Sequence, residues 1–189
     1  MTKSLPIPLE GRPFNYQEAR KTGLTQYALR RLLNSGELER IDYNLYRATG
    51  EDLSEEELYR RATKKVGKRT AICLLSALTY YGLTDTIAKQ IWVMVEASKR
   101  IKSPNIKLYR ARDPRWKIGI VEKQGYSITS LERTVVDSLT LKSVVSPRIG
   151  IEALKKAISN HQTTASKILE IASRLGVKHR ILAYIEVLT

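Results

Sequence analysis

The stretch GLTQYALRRLLNSGELERIDYNLYR, from Gly23 to Arg47, constrains the fold of this chain more than any other. Just ahead of it, Asn15 and Glu18 have the spacing of a capping box, which predicts a short helix ending near Thr22. Gly23 takes the turn, Thr25 caps a second helix reaching Ser35, and Gly36 is its natural stop. Ala19 lies four residues before Gly23, and Leu24, Leu29 and Leu32 lie one, six and nine after it. A small residue lets two helices approach and three leucines seal them, which is the pattern of a helix-turn-helix. Leu38–Ile41 and Leu45–Ala48 then read as two strands around a tip at Asp42–Asn44, so a winged helix-turn-helix is expected over residues 1–50.

An ordinary helical hairpin would show the same apolar spacing, and the other face of the second helix decides between them. Tyr27, Arg30, Arg31 and Asn34 recur at i, i+3, i+4 and i+7, opposite Leu29, Leu32 and Leu33, with Gln26 beside them. Arginine reads guanine, and Asn or Gln reads adenine, in the major groove. Arg40 and Arg47 of the hairpin are placed for phosphates. The expected DNA-binding set is therefore Thr25, Gln26, Tyr27, Arg30, Arg31, Asn34, Arg40 and Arg47, and the expected partner is double-stranded DNA.

The remainder predicts an α+β domain with a helical tail. Residues 1–14 hold three prolines and no periodicity, as in an extended arm. GEDLSEEELYRRATKKVGKRT (Gly50–Thr70) has a second capping box at Ser54 and Glu57, and i,i+4 pairs Glu56–Arg60 and Glu57–Arg61. It reads as a solvated linker helix over 51–69, leaving 70–189 as the second domain. AICLLSALTYYGL (Ala71–Leu83) is apolar almost all round and predicts a buried helix. Gln90–Ala97, Ile106–Arg112 and Lys117–Lys123 read as strands of a small antiparallel or mixed sheet. Thr129 or Ser130 caps a helix through Leu139, and amphipathic stretches follow at Pro147–Ile158, Thr164–Leu175 and Lys178–Leu188.

The formal net charge is +14, which speaks to partners: nucleic acid first, an acidic protein second, a membrane surface last. Residues 1–50 carry a net of only +3. Residues 99–123 carry +7, from Lys99, Arg100, Lys102, Lys107, Arg110, Arg112, Arg115, Lys117 and Lys123 against Asp113 and Glu122. A solvated strand edge, a second nucleic-acid surface and a docking patch for a protein all fit this stretch. No apolar run approaches a membrane span, the N-terminus does not read as a signal peptide, and one cysteine permits no internal disulfide. A cytoplasmic protein, monomeric in solution, is expected.

Candidates for catalysis or metal binding are weak. His161 and His179 have no partner at ligand spacing, and Cys73 reads as a core side chain. Asp85, Glu96 and Lys99 resemble a metal-dependent nuclease core only loosely, because Glu96 and Lys99 are one residue too far apart. Arg133 and Asp137 read as a structural i,i+4 pair. No catalytic residue, metal or cofactor is expected, and the chain is not read as an enzyme.

Three blocks resemble the AbiEi family, antitoxins of type IV toxin–antitoxin and abortive phage-infection systems. YQEARKTGLTQYALRRLLNSGELERIDYNLYR (Tyr16–Arg47) is similar to that family's N-terminal winged helix. LLSALTYYGLTD (Leu74–Asp85) is similar to its Ser-Ala…Gly-Leu helix, and ITSLERTVVDSL (Ile128–Leu139) to its Thr-Ser…Glu-Arg-Thr…Asp segment. The resemblance implies a winged helix that represses its own operon at inverted repeats, and a second domain that counteracts a nucleotidyltransferase-like toxin. The chain departs from the family at the wing tip, where a basic residue and a glycine are usual and Asp42 and Asn44 stand. Asp42 would repel a phosphate, which counts against deep minor-groove entry. The alternative reading is a winged-helix regulator whose second domain senses a ligand or dimerises.

Overall fold

The computed structural model describes residues 9, 13–49, 54–86 and 88–186. It is an α+β protein in two compact units, 1–54 and 55–189. The extended arm expected at 1–14 and the start of the expected linker fall almost wholly outside the described residues.

The first unit runs β1 (Phe14–Asn15), α1 (Tyr16–Lys21), α2 (Gln26–Asn34), β2 (Leu38–Asp42) and β3 (Leu45–Ala48). Its sheet has the order β1-β3-β2, with both pairings antiparallel. Phe14, Ala19, Leu24, Leu29, Leu32 and Leu38 are buried together with Leu9 as one apolar core. Each fully buried Leu or Phe contributes about 1.5–3 kcal/mol, so a unit this small depends on all of them.

The second unit is built on a five-stranded mixed sheet of order β6-β5-β4-β8-β7. Its strands are β4 (Thr70–Ile72), β5 (Ile91–Glu96), β6 (Ile106–Ala111), β7 (Ile120–Lys123) and β8 (Tyr126–Thr129). β5 runs parallel to β6, and β4 parallel to β8, while β4–β5 and β7–β8 are antiparallel. Side chains alternate across the strands. Val93 and Val95 face α3 (Glu55–Val66), whereas Trp92 and Met94 face the remaining helices. Those helices are α4 (Leu74–Tyr80), α5 (Leu131–Thr140), α6 (Pro147–Ser159), α7 (Ala165–Arg174) and α8 (Lys178–Glu186). α5 is the hub: it packs against α4, α6, α7 and α8, and Arg133–Thr140 are all buried.

Three expectations are corrected here. The helix expected as a solvated linker is solvated on one face only. Tyr59, Ala62 and Val66 of α3 are buried against Ile72, Val93, Val95 and Ile128, so the helix covers one face of the sheet. Its other face does carry the expected Glu56–Arg60 and Glu57–Arg61 pairs, at 3.1 and 3.0 Å. The apolar run from Ala71 is not one helix. Thr70–Ile72 is a strand, Cys73 occupies the cap position and the helix begins at Leu74, which takes a left-handed φ of 50°. The strand expected from Lys117 starts at Ile120, because Pro114–Lys117 forms a 3-10 turn capped by Asp113.

Arg133 and Asp137 form the i,i+4 pair that the spacing predicted, and the structure buries both of them. Arg133 Nε donates to both Asp137 carboxylate oxygens at 2.8 and 2.9 Å. Arg133 Nη1 donates to the carbonyls of Trp116 and Ile118 at 3.2 and 2.6 Å, which ties α5 to the 3-10 turn. Burial pushes the Asp137 carboxyl up to about 6, opposed by the Arg133 guanidinium. Cys73 is fully buried, and burial pushes its thiol well above the ordinary range, as befits an inert core side chain.

Candidate nucleic-acid interface

The first unit presents α2 by a set of local hydrogen bonds. Asn15 Oδ1 accepts from Glu18 N at 2.9 Å, and Glu18 Oε2 accepts from Asn15 N at 2.8 Å, closing the capping box that starts α1. Thr22 Oγ1 donates to the Ala19 carbonyl at 2.8 Å. Gly23 then adopts φ 83°, a conformation that costs an L side chain about 1–2 kcal/mol. Thr25 Oγ1 accepts from Ala28 N at 3.2 Å and so starts α2. That hydroxyl caps the helix as an acceptor and keeps its O–H as a donor, so Thr25 both starts α2 and retains a donor at its N-terminus.

Leu29 and Leu32 face the core, and the opposite stripe is open. Gln26, Tyr27, Arg30, Arg31 and Asn34 are all exposed, Tyr27 at 80%. Arg30 and Arg31 form no ion pair or side-chain hydrogen bond with a described residue. Two unpaired guanidiniums on one helix face retain their full hydrogen-bonding capacity for a ligand.

The hairpin treats its two arginines differently. Arg47 lies opposite Glu39 in the β2–β3 register and is ion-paired with it, so its guanidinium is already engaged. Arg40 is exposed, with its guanidinium 5.5 Å from the centre of the Tyr43 ring. Tyr43 is 88% exposed at the hairpin tip, a position the reading of the sequence passed over. The available signal was an aromatic residue in a two-residue turn, where polar residues are usual. Asn44 adopts φ 53°, as its tolerance of the left-handed region allows, and its Oδ1 accepts from Tyr16 N at 3.3 Å. That bond fastens the turn to the start of α1. The side chain of Asp42 lies outside the described residues.

The basic stretch of the second unit is spread over three local settings. Arg110 Nε donates to the Lys99 carbonyl at 3.0 Å, and Arg100 Nη1 donates to the Ala97 carbonyl at 2.5 Å, so these cations brace the loop between β5 and β6. The Lys99 ammonium lies against Gly67, 3.4 Å from where a Cβ would stand, and Arg69 meets Glu96 at 3.8 Å. Lys68 and Arg69, outside the expected patch, therefore adjoin it. Lys107 Nζ lies 4.3 Å from the centre of the Trp92 ring, on the opposite sheet face from Arg110, as alternation requires. Lys102 lines a cleft with Lys107 and Arg110. Arg112 is exposed beyond the end of β6. Arg115 forks onto Asp113 at 3.0 and 2.7 Å and holds that carboxyl down to about 2. Lys117 Nζ lies 5.9 Å from the Trp116 ring.

Asp85 and Glu96 do not converge on a nuclease-like centre. Asp85 is hydrogen-bonded to Lys156 at 3.2 Å, and Glu96 has Arg69. Among the described residues no group of three or more His, Cys, Asp or Glu is placed to hold a metal ion. No described helix is long and apolar enough to cross a membrane.

No family model and no curated protein matches this chain. A solved structure with the same fold is the crystal structure of the RV2827C protein from Mycobacterium tuberculosis. It is 12% identical, with a TM-score of 0.59, and the match covers 92% of this chain and 75% of that one. At that identity the likeness is one of fold.

Proposed function

We propose that this protein is a DNA-binding antitoxin of a bacterial type IV toxin–antitoxin system, which represses its own operon and counteracts a nucleotidyltransferase-like toxin. The observation that carries the DNA-binding part is the open stripe of α2, where Arg30 and Arg31 are exposed beside Tyr27 and Asn34 and pair with no described residue. A helix with a sealed apolar face and two free guanidiniums on the other is suited to the major groove, where each bidentate base contact discriminates by about 1–3 kcal/mol. The order helix, turn, helix, hairpin supports the winged reading, with Arg40 the exposed arginine of the hairpin. The antitoxin part rests on the resemblance of the blocks at 16–47, 74–85 and 128–139 to the AbiEi family.

The test is binding to the DNA upstream of the protein's own gene. Arg30→Ala and Arg31→Ala should each weaken it by about 1–3 kcal/mol, with a smaller loss on unrelated duplex. Arg47→Ala should change affinity less, because Glu39 holds that guanidinium. Wild-type protein with no preference for its own promoter would sink the repressor reading. Co-expression with a nucleotidyltransferase-like neighbour gene tests the other half, and undiminished growth arrest would overturn it.

A further inference from the structure

We infer that the free edge of β6, with the cleft beside it, receives an acidic, extended segment of a partner protein as a sixth strand of the sheet. Among the described residues β6 is the outermost strand of its sheet and pairs on one side only, with β5. Ile91 N donates to the Asn105 carbonyl at 2.9 Å, so the odd-numbered residues of this strand turn their main chain toward β5. The even-numbered ones turn outward. Ile106 N is taken by the Ser103 carbonyl at 3.4 Å. The N–H and C=O of Leu108 and of Arg110 have no hydrogen-bond partner among the described residues. Four main-chain groups at the strand repeat form a template for a further strand.

The surroundings select its chemistry. A cleft of about 430 Å³ opens beside β6 against the loop that precedes it, lined among others by Ile101, Ile106 and Leu108 and by Lys102, Lys107 and Arg110. No acidic side chain lines it. A second copy of the same edge would set these cations against their like, so self-pairing is disfavoured and a carboxylate-bearing strand is favoured. The apolar part of the lining suits alternate aliphatic side chains of such a strand. A single-stranded nucleic acid needs exposed aromatic faces on which to stack. Trp92, the neighbouring ring, is 7% exposed and covered by Lys107.

The test uses the full-length protein and a fluorescein-labelled heptapeptide of alternating glutamate and valine. It should bind saturably and slow amide exchange at Leu108 and Arg110. The same peptide N-methylated at alternate residues, on the bonding side, should lose binding while keeping its charge. Lys107→Glu with Arg110→Glu should weaken the unmodified peptide at least about tenfold. Absence of saturable binding, or equal binding of the N-methylated peptide, overturns the inference. So does a double variant that lowers affinity for a mixed-sequence DNA duplex and leaves the peptide unaffected.

Discussion

Gly150→Ala puts two physical effects in opposition, and the structure decides which wins. Gly150 lies inside α6, where replacing glycine by alanine ordinarily stabilises by about 1 kcal/mol. A Cβ at this position would stand 2.8 Å from the Ser138 carbonyl oxygen and 3.0 Å from its carbon, on the backbone of α5. Ordinary contact begins at 3.4 Å, so α5 and α6 must part by about 0.6 Å. The obstacle is main chain at the hub of the unit, with no flexible side chain to swing aside. A gap of that size forfeits roughly a quarter to a half of each dispersion contact across the interface, and overpacking of this kind costs about 1–3 kcal/mol. With backbone on both sides the cost belongs at the upper end, about 3 kcal/mol, which leaves a net loss near 2 kcal/mol after the propensity gain. Trp92 and Trp116 are the chain's two tryptophans and both lie in the second unit, so their fluorescence reports its unfolding separately from the first. The denaturation midpoint should fall, and Tm should drop by roughly 4–8 °C. A midpoint unchanged or raised would refute the close approach of the two helices.

Three further outcomes follow from the second unit. Asp137→Ala should cost about 3–5 kcal/mol by leaving Arg133 buried and uncompensated, while Arg133→Met with Asp137→Leu should recover much of it; a chemical-denaturation cycle measures both. The Asp137 carboxyl should titrate near 6 by carbon NMR. With its folded pKa raised, its contribution to stability is full below about 4 and lost as pH rises through about 6, and a midpoint below 4 would contradict the dominance of burial. A fragment of residues 55–189 should fold, whereas one of 70–189 should be insoluble or molten, because it strips Tyr59, Ala62 and Val66 from the sheet face; comparable near-UV circular dichroism for the two would show α3 dispensable.

The local chemistry of the chain was enough to place the first unit. The Asn15–Glu18 box, the Gly23 turn, the Thr25 cap and the leucines at fixed offsets all act over a few residues, and each is found where its spacing put it. The α+β class and the helical tail were legible for the same reason, since an amphipathic period shows wherever one face meets solvent. The centre of the second unit was not. β4 and β8 are parallel neighbours inside the sheet; β4 is three buried residues at the start of a longer apolar run, and a buried stretch that short reads alike as helix or strand. α3 carries its ion pairs in plain sight, but only packing shows that Tyr59 and Val66 close a core. Side-chain availability was also a tertiary decision. Arg30 and Arg47 are the same residue type, yet one faces solvent and the other is held by Glu39 across the strand register. Which charges remain open to a partner depends on the pairing register of the folded strands, which residue spacing along one strand does not specify.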